Sequence, residues 1–159
     1  MNKRIMTVLV TLVVIFTTLS PLTLNAEESR VMRFEIGNTT FTIDGVIQEH
    51  NVVEWQVLGA DLPIYIDPIY DRTMAPTWMV TRAVNGFLDF CHRDQILFMM
   101  RDGTLLRFAQ DDSRSDSVGV LRIHEDTGAW FLPLRYVAEA FGYEVIWDDA
   151  AQAVYIIER

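Results

Sequence analysis

The feature that most constrains the fold is an internal repeat. When the sequence is shifted by 57 residues, the segment around 76–99 aligns with the segment around 133–156. A constant offset over such a length is typical of duplicated supersecondary units that bury their apolar faces against each other. We expect the two units to share one core, because neither half alone buries enough apolar surface. Aligned pairs include Pro76 and Pro133, Val80 and Val137, Ala83 and Ala140, Asn85 and Gly142, Phe90 and Trp147, and Gln95 and Gln152.

Each copy predicts a short helix followed by two strands. In the second copy, Pro133 opens a helix that runs to Phe141, since a proline in the first helical turn gives up no hydrogen bond. Gly142 ends this helix by adopting the left-handed conformation, which Asn85 also tolerates in the first copy. Alternation of apolar and polar residues after the glycine then predicts a strand with Trp147 on its buried face.

Further β-hairpins are predicted outside the two helices. Residues 34–44 hold a turn at Gly37-Asn38, and residues 96–108 hold Asp102-Gly103, a strong signal for a two-residue hairpin turn. Residues 118–123 read as one more strand. Strands outnumber helices and are joined by tight turns. The predicted fold is therefore α+β, a mainly antiparallel sheet with two short helices, built from two diverged hairpin–helix–hairpin repeats that share one core.

The N-terminus predicts a secretory signal peptide over residues 1–26. Lys3 and Arg4 precede an uncharged apolar run over residues 5–24, and Ala26 stands just before two glutamates. This layout is typical of a cleaved export signal, with an uncleaved membrane anchor as the alternative. Residues 27–159 then form one domain, with repeat one at about 32–101 and repeat two at about 102–159.

Composition narrows the classes of partner and chemistry. The formal net charge is −9, and the chain has no lysine after Lys3, which argues against nucleic acid and anionic membrane surfaces as partners. Cys91 is the only cysteine, so it is either a buried apolar residue or a free thiol. The three histidines are scattered singly. We therefore expect no metal, no cofactor and no membrane contact beyond the signal segment.

Several separated motifs resemble one known family, the copper amine oxidase N-terminal-like domain of secreted proteins from Gram-positive bacteria. The stretch "DLPIYIDPIYDRTMAPTWMVTRAVN" at 61–85 and the stretch "FLPLRYVAEAFGYEVIWDD" at 131–149 carry the resemblance, which extends over most of residues 34–157. The residues that match the family's structural motifs are Gly37, Pro68, Arg72, Pro76, Pro133, Gly142 and Trp147.

The resemblance implies a scaffold and not an oxidase. In amine oxidases this domain is a stalk that lies apart from the copper and quinone centre, so the resemblance implies neither cofactor nor catalysis. It implies a secreted, non-catalytic binding or interaction module at the bacterial cell surface. Its partner would be a wall polymer or another envelope protein. The alternative is a small hydrolase of wall glycans, or a regulator of one, which would need a polar cleft with a perturbed acid.

Three side chains are candidates for a ligand surface. Trp78 stands where the family usually has arginine, Trp130 precedes a predicted strand, and Arg135 lies at the start of the second predicted helix. Indoles offer a flat face to sugars, and an arginine near a helix start is suited to anions. The alternatives are core packing for the tryptophans, and for Arg135 an ion pair with Asp148 or Asp149. Acidic and hydroxyl residues at 111–116 are spaced as in a calcium loop, but their pattern favours a solvated loop.

Overall fold

The computed structural model describes residues 29–50, 62–110 and 119–159. The predicted signal segment at 1–26 and the acidic loop at 111–116 lie outside these residues. The described part consists mostly of antiparallel sheet with two short helices, which confirms the α+β class. The elements are β1 Arg30–Glu35, β2 Phe41–Ile43, β3 Val46–Gln48, β4 Tyr65–Asp67, β5 Arg72–Pro76, α1 Thr77–Val84, β6 Phe87–Cys91, β7 Ile96–Arg101, β8 Thr104–Ala109, β9 Gly119–Val120, β10 Arg122–Ile123, β11 Trp130–Pro133, α2 Leu134–Ala140, β12 Glu144–Asp148 and β13 Ala153–Glu158.

The strands form three sheets. Sheet 1 has the order β12-β13-β1-β2-β3, sheet 2 the order β10-β11-β5-β4, and sheet 3 the order β6-β7-β8-β9. Among the described strands, every pairing is antiparallel except that of β8 with β9. Strand β1 pairs with β13, so the beginning and the end of the described chain meet in sheet 1. The edge strands are β12 and β3 in sheet 1, β10 and β4 in sheet 2, and β6 and β9 in sheet 3.

One large cluster of buried side chains joins the sheets and both helices. Sheet 1 contributes Phe34, whose ring stacks on Phe41 at a centroid distance of 4.7 Å. Sheet 3 contributes Leu97 from its inner face, and α2 contributes Val137. Because these residues come from distant parts of the sequence, their burial ties the whole described chain into one packing unit. A smaller cluster of Met74, Ala129 and Phe131 packs on one side of sheet 2.

The helices end where the sequence predicts. Asn85, with a φ of 50°, follows α1, and Gly142, with a φ of +84°, lies one residue beyond Phe141 at the end of α2. The N–H of Gly86 donates to the carbonyl of Thr81, and the N–H of Tyr143 donates to the carbonyl of Ala138, both at 3.0 Å. These bonds satisfy carbonyls that the last helical turn leaves free, so they stabilise the turn at the end of each helix.

Two local predictions need correction. Both helices begin one residue later than predicted. Pro76 and Pro133 are the last residues of β5 and β11 and serve as the N-caps of α1 and α2. Of the strand predicted over residues 118–123, the described residues form two short strands, β9 and β10. The chain leaves sheet 3 after β9 and enters sheet 2 at β10, with the N–H of Leu121 donating to the carbonyl of Ala109 at 2.8 Å between them.

Candidate functional site

The segment around α2 carries several of the family's motif residues. In the structure these residues have structural roles. Pro133 ends β11, Gly142 takes a left-handed conformation, and Trp147 packs half-buried against the large core cluster. The Asp148 carboxylate accepts a hydrogen bond from the N–H of Ala151 at 3.0 Å and so holds the turn before β13. These residues therefore act as turn, cap and core residues.

Two of the matching residues of the first half, Gly37 and Pro68, lie in turns. Gly37 has a φ of +87° in the loop between β1 and β2, and its N–H donates to the carbonyl of Ile64 at 2.8 Å. Pro68 follows Asp67 in the turn between β4 and β5. Arg72 is exposed, and its guanidinium lies 5.6 Å from the centroid of the Tyr70 ring. Only glycine enters the backbone region of Gly37 without strain, which explains its place in the motif.

A buried carboxylate and an arginine with shifted pKa values form an ion pair on sheet 2. Asp67 is only 3% exposed, and its carboxylate accepts hydrogen bonds from Nε of Arg122 at 2.8 Å and from the N–H of Ile69 at 2.8 Å. The Arg122 guanidinium lies 4.8 Å from the centroid of the Tyr70 ring. The ion pair thus joins β4 and β10, which are the two opposite edge strands of sheet 2.

The electrostatics of this pair fit a structural role. Burial alone would raise the pKa of Asp67, but the hydrogen bonds from Arg122 and from the backbone N–H groups outweigh it and lower the pKa. The same pair raises the pKa of Arg122. Burial, with the nearby Asp67 charge, raises the pKa of Tyr65. A carboxylate held ionised in this way is suited to an ion pair and not to donating a proton near neutral pH.

A second charged cluster joins sheet 1 to sheet 3. Glu158 at the end of β13 pairs with Arg101 at the end of β7 and, at 3.4 Å, with Arg30. The Arg101 guanidinium lies 4.5 Å from the centroid of the Tyr143 ring, and the Tyr143 hydroxyl lies within hydrogen-bonding distance of Glu158 and of the Val84 carbonyl. Sequence reasoning missed both charged clusters, because their partners are more than fifty residues apart and no local pattern marks them.

The three candidate ligand residues differ in their exposure to solvent. Trp78 is buried, with 8% of its surface exposed, and its ring packs against Phe41 and His50. An indole in this environment has no free face for a sugar, so Trp78 takes its alternative role as a core residue. The cause is that α1 is buried on most of its circumference, between the sheets.

Trp130 and Arg135 keep exposed atoms. The Trp130 ring is half-buried and lies 4.7 Å from Phe90, whose ring in turn lies 4.9 Å from the exposed His92. We call Phe90, His92 and Trp130 the aromatic ladder. Arg135 is exposed, and its nearest acid is Glu139 at 3.9 Å, one helical turn away, and not the expected Asp148 or Asp149. Such an exposed pair contributes little to stability, so the guanidinium is free to bind.

The remaining nucleophilic and metal-ligating groups of the described residues do not assemble into a centre. The Cys91 thiol is half-buried and donates to the Asp94 carboxylate at 3.4 Å, while the neighbouring His92 ring packs on Phe90. Within residues 29–50, 62–110 and 119–159, no three His, Cys, Asp or Glu side chains group as metal ligands do. Neither α1 nor α2 nor any other helix in the described residues is long and apolar enough to cross a membrane.

Comparison with known proteins gives one partial match. A family model described as "Copper amine oxidase N-terminal domain" matches residues 121–158, which span β10, β11, α2, β12 and β13. No curated protein and no solved structure matches the chain. The likeness to this domain is thus confirmed for the second helix–hairpin unit. For the first unit it remains an expectation from the sequence.

Proposed function

We propose that this protein is a secreted, non-catalytic binding or interaction module at the bacterial cell surface, similar in construction to the stalk domain of amine oxidases. The single observation that carries the proposal is the place of the motif residues in the fold. Those around α2 cap, turn and pack, and Asp67, the acid directly before Pro68, is locked to Arg122. A catalytic motif would instead present its polar groups to a cleft. The match over residues 121–158 supports the same family resemblance.

We also propose that the chain consists of two diverged repeats around one core. Left-handed residues recur at the 57-residue offset: Asp71 matches Gly128, and Asn85 matches Gly142. The turn bond from Asp71 N–H to the Asp67 carbonyl has its counterpart from Gly128 N–H to the His124 carbonyl, each at 2.8 Å.

The pairing in the middle of sheet 2 supports the same proposal. Strands β5 and β11 pair antiparallel with Ala75 opposite Leu132, and these two residues are themselves 57 positions apart. Arg101 and Glu158, also 57 apart, contact each other. Contacts between equivalent residues are expected near an axis of internal two-fold symmetry.

The proposed ligand surface consists of the aromatic ladder, with Arg135 as a further polar contact. The partner is a wall polymer or another envelope protein. An aromatic face suits the apolar side of a sugar ring without needing positive charge, which matters because the chain carries a net charge of −9. Export through the segment at 1–26 would bring the protein to such a partner.

The test is sedimentation of the purified protein with bacterial walls, with and without their teichoic polymers. We expect the wild type to co-sediment and a Trp130→Leu variant to lose most of the bound fraction. Trp147→Leu is the matched control, because it removes another half-buried indole from the large core cluster but leaves the ladder intact. Each variant is first checked for native unfolding behaviour.

The sedimentation results distinguish a wall-binding module from a protein-binding module and from a hydrolase. Failure of the wild type to bind either wall preparation would overturn the wall-polymer proposal and leave a protein partner, sought by crosslinking on intact cells. Equal loss in Trp130→Leu and Trp147→Leu would contradict the ladder as the site. Release of soluble glycan fragments from the walls would favour the alternative of a hydrolase or its regulator.

A further inference from the structure

The outer face of sheet 3 carries an apolar row in the described structure. Phe87, Met100 and Leu105 are 63%, 41% and 47% exposed, respectively. Phe87 lies opposite Met100 across β6 and β7, and Met100 lies opposite Leu105 across β7 and β8. The three side chains therefore form one continuous row across three strands. Large apolar side chains that are contiguous on a surface mark an interaction site more often than scattered ones.

The next row on the same face is ordered by charge. Asp89 on β6, Phe98 on β7 and Arg107 on β8 lie side by side in register. The Arg107 guanidinium lies 6.0 Å from the centroid of the Phe98 ring. Across β6, β7 and β8, this face thus has an acid on one side of β7, a base on the other side, and an apolar centre. Its formal charge is zero on a chain whose net charge is −9.

The fold does not require this apolar face. In sheet 1 the strands β12, β13 and β1 are arranged as β6, β7 and β8 are in sheet 3. The row that corresponds to the apolar one begins with Glu144, which pairs with Arg159 and lies opposite Ile157. A charged residue is therefore compatible with the position that Phe87 occupies.

We propose that the outer face of sheet 3 binds a second copy of this chain, with a two-fold axis parallel to β7. Two sheets that pack face to face lie about 10 Å apart with nearly aligned strands. This axis places β6 of one copy over β8 of the other. Asp89 then faces the partner's Arg107, and Arg107 faces the partner's Asp89. Met100 and Phe98 lie on the axis, where each meets its own equivalent.

The charge order selects a second copy over another protein. A two-fold interface is self-complementary, so a face that carries one acid and one base at mirrored positions makes two ion pairs from a single patch. Two acidic chains repel each other at long range. A face without net charge adds no repulsion of its own when two copies approach. Burial of the apolar row would supply the larger part of the affinity.

The test is sedimentation equilibrium of the protein, expressed from its full sequence and purified as the host exports it. We expect a concentration-dependent dimer. Asp89→Arg and Arg107→Asp should each weaken dimerisation at least tenfold, because each places like charges opposite one another. The double variant with both changes should return to within about threefold of the wild type, since the pairs are restored in reverse. Met100→Asp should abolish the dimer.

Ile146→Asp is the matched control. Ile146 is 44% exposed on the outer face of sheet 1, close to the exposure of Met100. We expect Ile146→Asp to leave dimerisation unchanged. A wild type that remains monomeric at millimolar concentration overturns the proposal. A double charge reversal that does not recover, or an equal effect of Ile146→Asp, also overturns it.

A crosslinking measurement does not depend on destabilising variants. In a Cys91→Ser background, Met100→Cys places a thiol on the axis, and a short bismaleimide can span the expected gap of about 10 Å between the sheets. We expect efficient linkage of two copies at this position. Ile146→Cys in the same background should remain unlinked. Equal linkage at the two positions contradicts the proposed axis.

Discussion

Replacement of Asp67 by asparagine tests whether the acid directly before Pro68 is structural. The Asp67 side chain is 5% exposed and accepts a charged hydrogen bond from Arg122, whose side chain is 26% exposed. A hydrogen bond to a charged group contributes about 1.5 to 3 kcal/mol, and the loss of one partner of a buried pair costs about 3 to 5 kcal/mol. Asparagine keeps an acceptor for the Ile69 N–H, so we expect a loss of about 2 to 3 kcal/mol at pH 7.

The pH dependence follows from the lowered pKa of folded Asp67. The unfolded chain titrates at the ordinary value of about 3.9. Between that value and the lower folded pKa, the unfolded state binds more protons. The stability from this pair is therefore fully present above about pH 4 and is lost as the pH falls through the folded pKa. The difference between wild type and Asp67→Asn should shrink over this acid range.

The assay is urea unfolding followed by tryptophan fluorescence at pH 7 and at pH 3. Arg122→Met provides the double-mutant cycle, because an apolar replacement of both partners often costs little. We expect Asp67→Asn with Arg122→Met to be more stable than the sum of the single changes predicts. An Asp67→Asn variant as stable as the wild type at pH 7 would refute the structural role. A difference that stays constant with pH would refute its electrostatic origin.

Three further changes test the packing around α2 by urea unfolding at neutral pH. Gly119→Ala should cost about 1 to 3 kcal/mol, because a Cβ at this position would lie 2.5 Å from a ring carbon of Phe108, and Phe108→Leu should reduce that extra cost. Additive effects of these two changes would argue against the clash. Gly142→Ala should cost about 1 to 2 kcal/mol through its positive φ, while Gly142→Asn should cost less; a larger loss with asparagine contradicts the argument. Tyr143→Phe should cost about 0.5 to 1.5 kcal/mol, since the hydroxyl bonds within the protein, and no loss would show that water replaces those bonds.

Much of the local structure could be predicted because its signals are local. The turn at Asp102 and Gly103 has positive φ at both residues, as a two-residue hairpin requires. Asn85 and Gly142 mark the helix ends for the same steric reason. Strand β6, Phe87–Cys91, follows α1 as the first of the two strands that each copy predicts after its helix.

The contacts across the fold could not be predicted in this way. Arg122 and Asp67 are 55 residues apart and lie on the two opposite edge strands of sheet 2, and no periodicity encodes their contact. Trp78 was a candidate for an exposed surface because it replaces a polar residue of the family. Its burial follows from the position of α1 between sheets, a property of the tertiary structure.

The central claim is that both helix–hairpin units are scaffold around one core, and equilibrium unfolding tests it most directly. Tryptophan fluorescence and far-ultraviolet circular dichroism are recorded on the same urea series. Because the large core cluster draws residues from both units, we predict one transition with the same midpoint by both probes. Two separated transitions, or midpoints that differ between the probes, would show that the units unfold independently and would contradict the account.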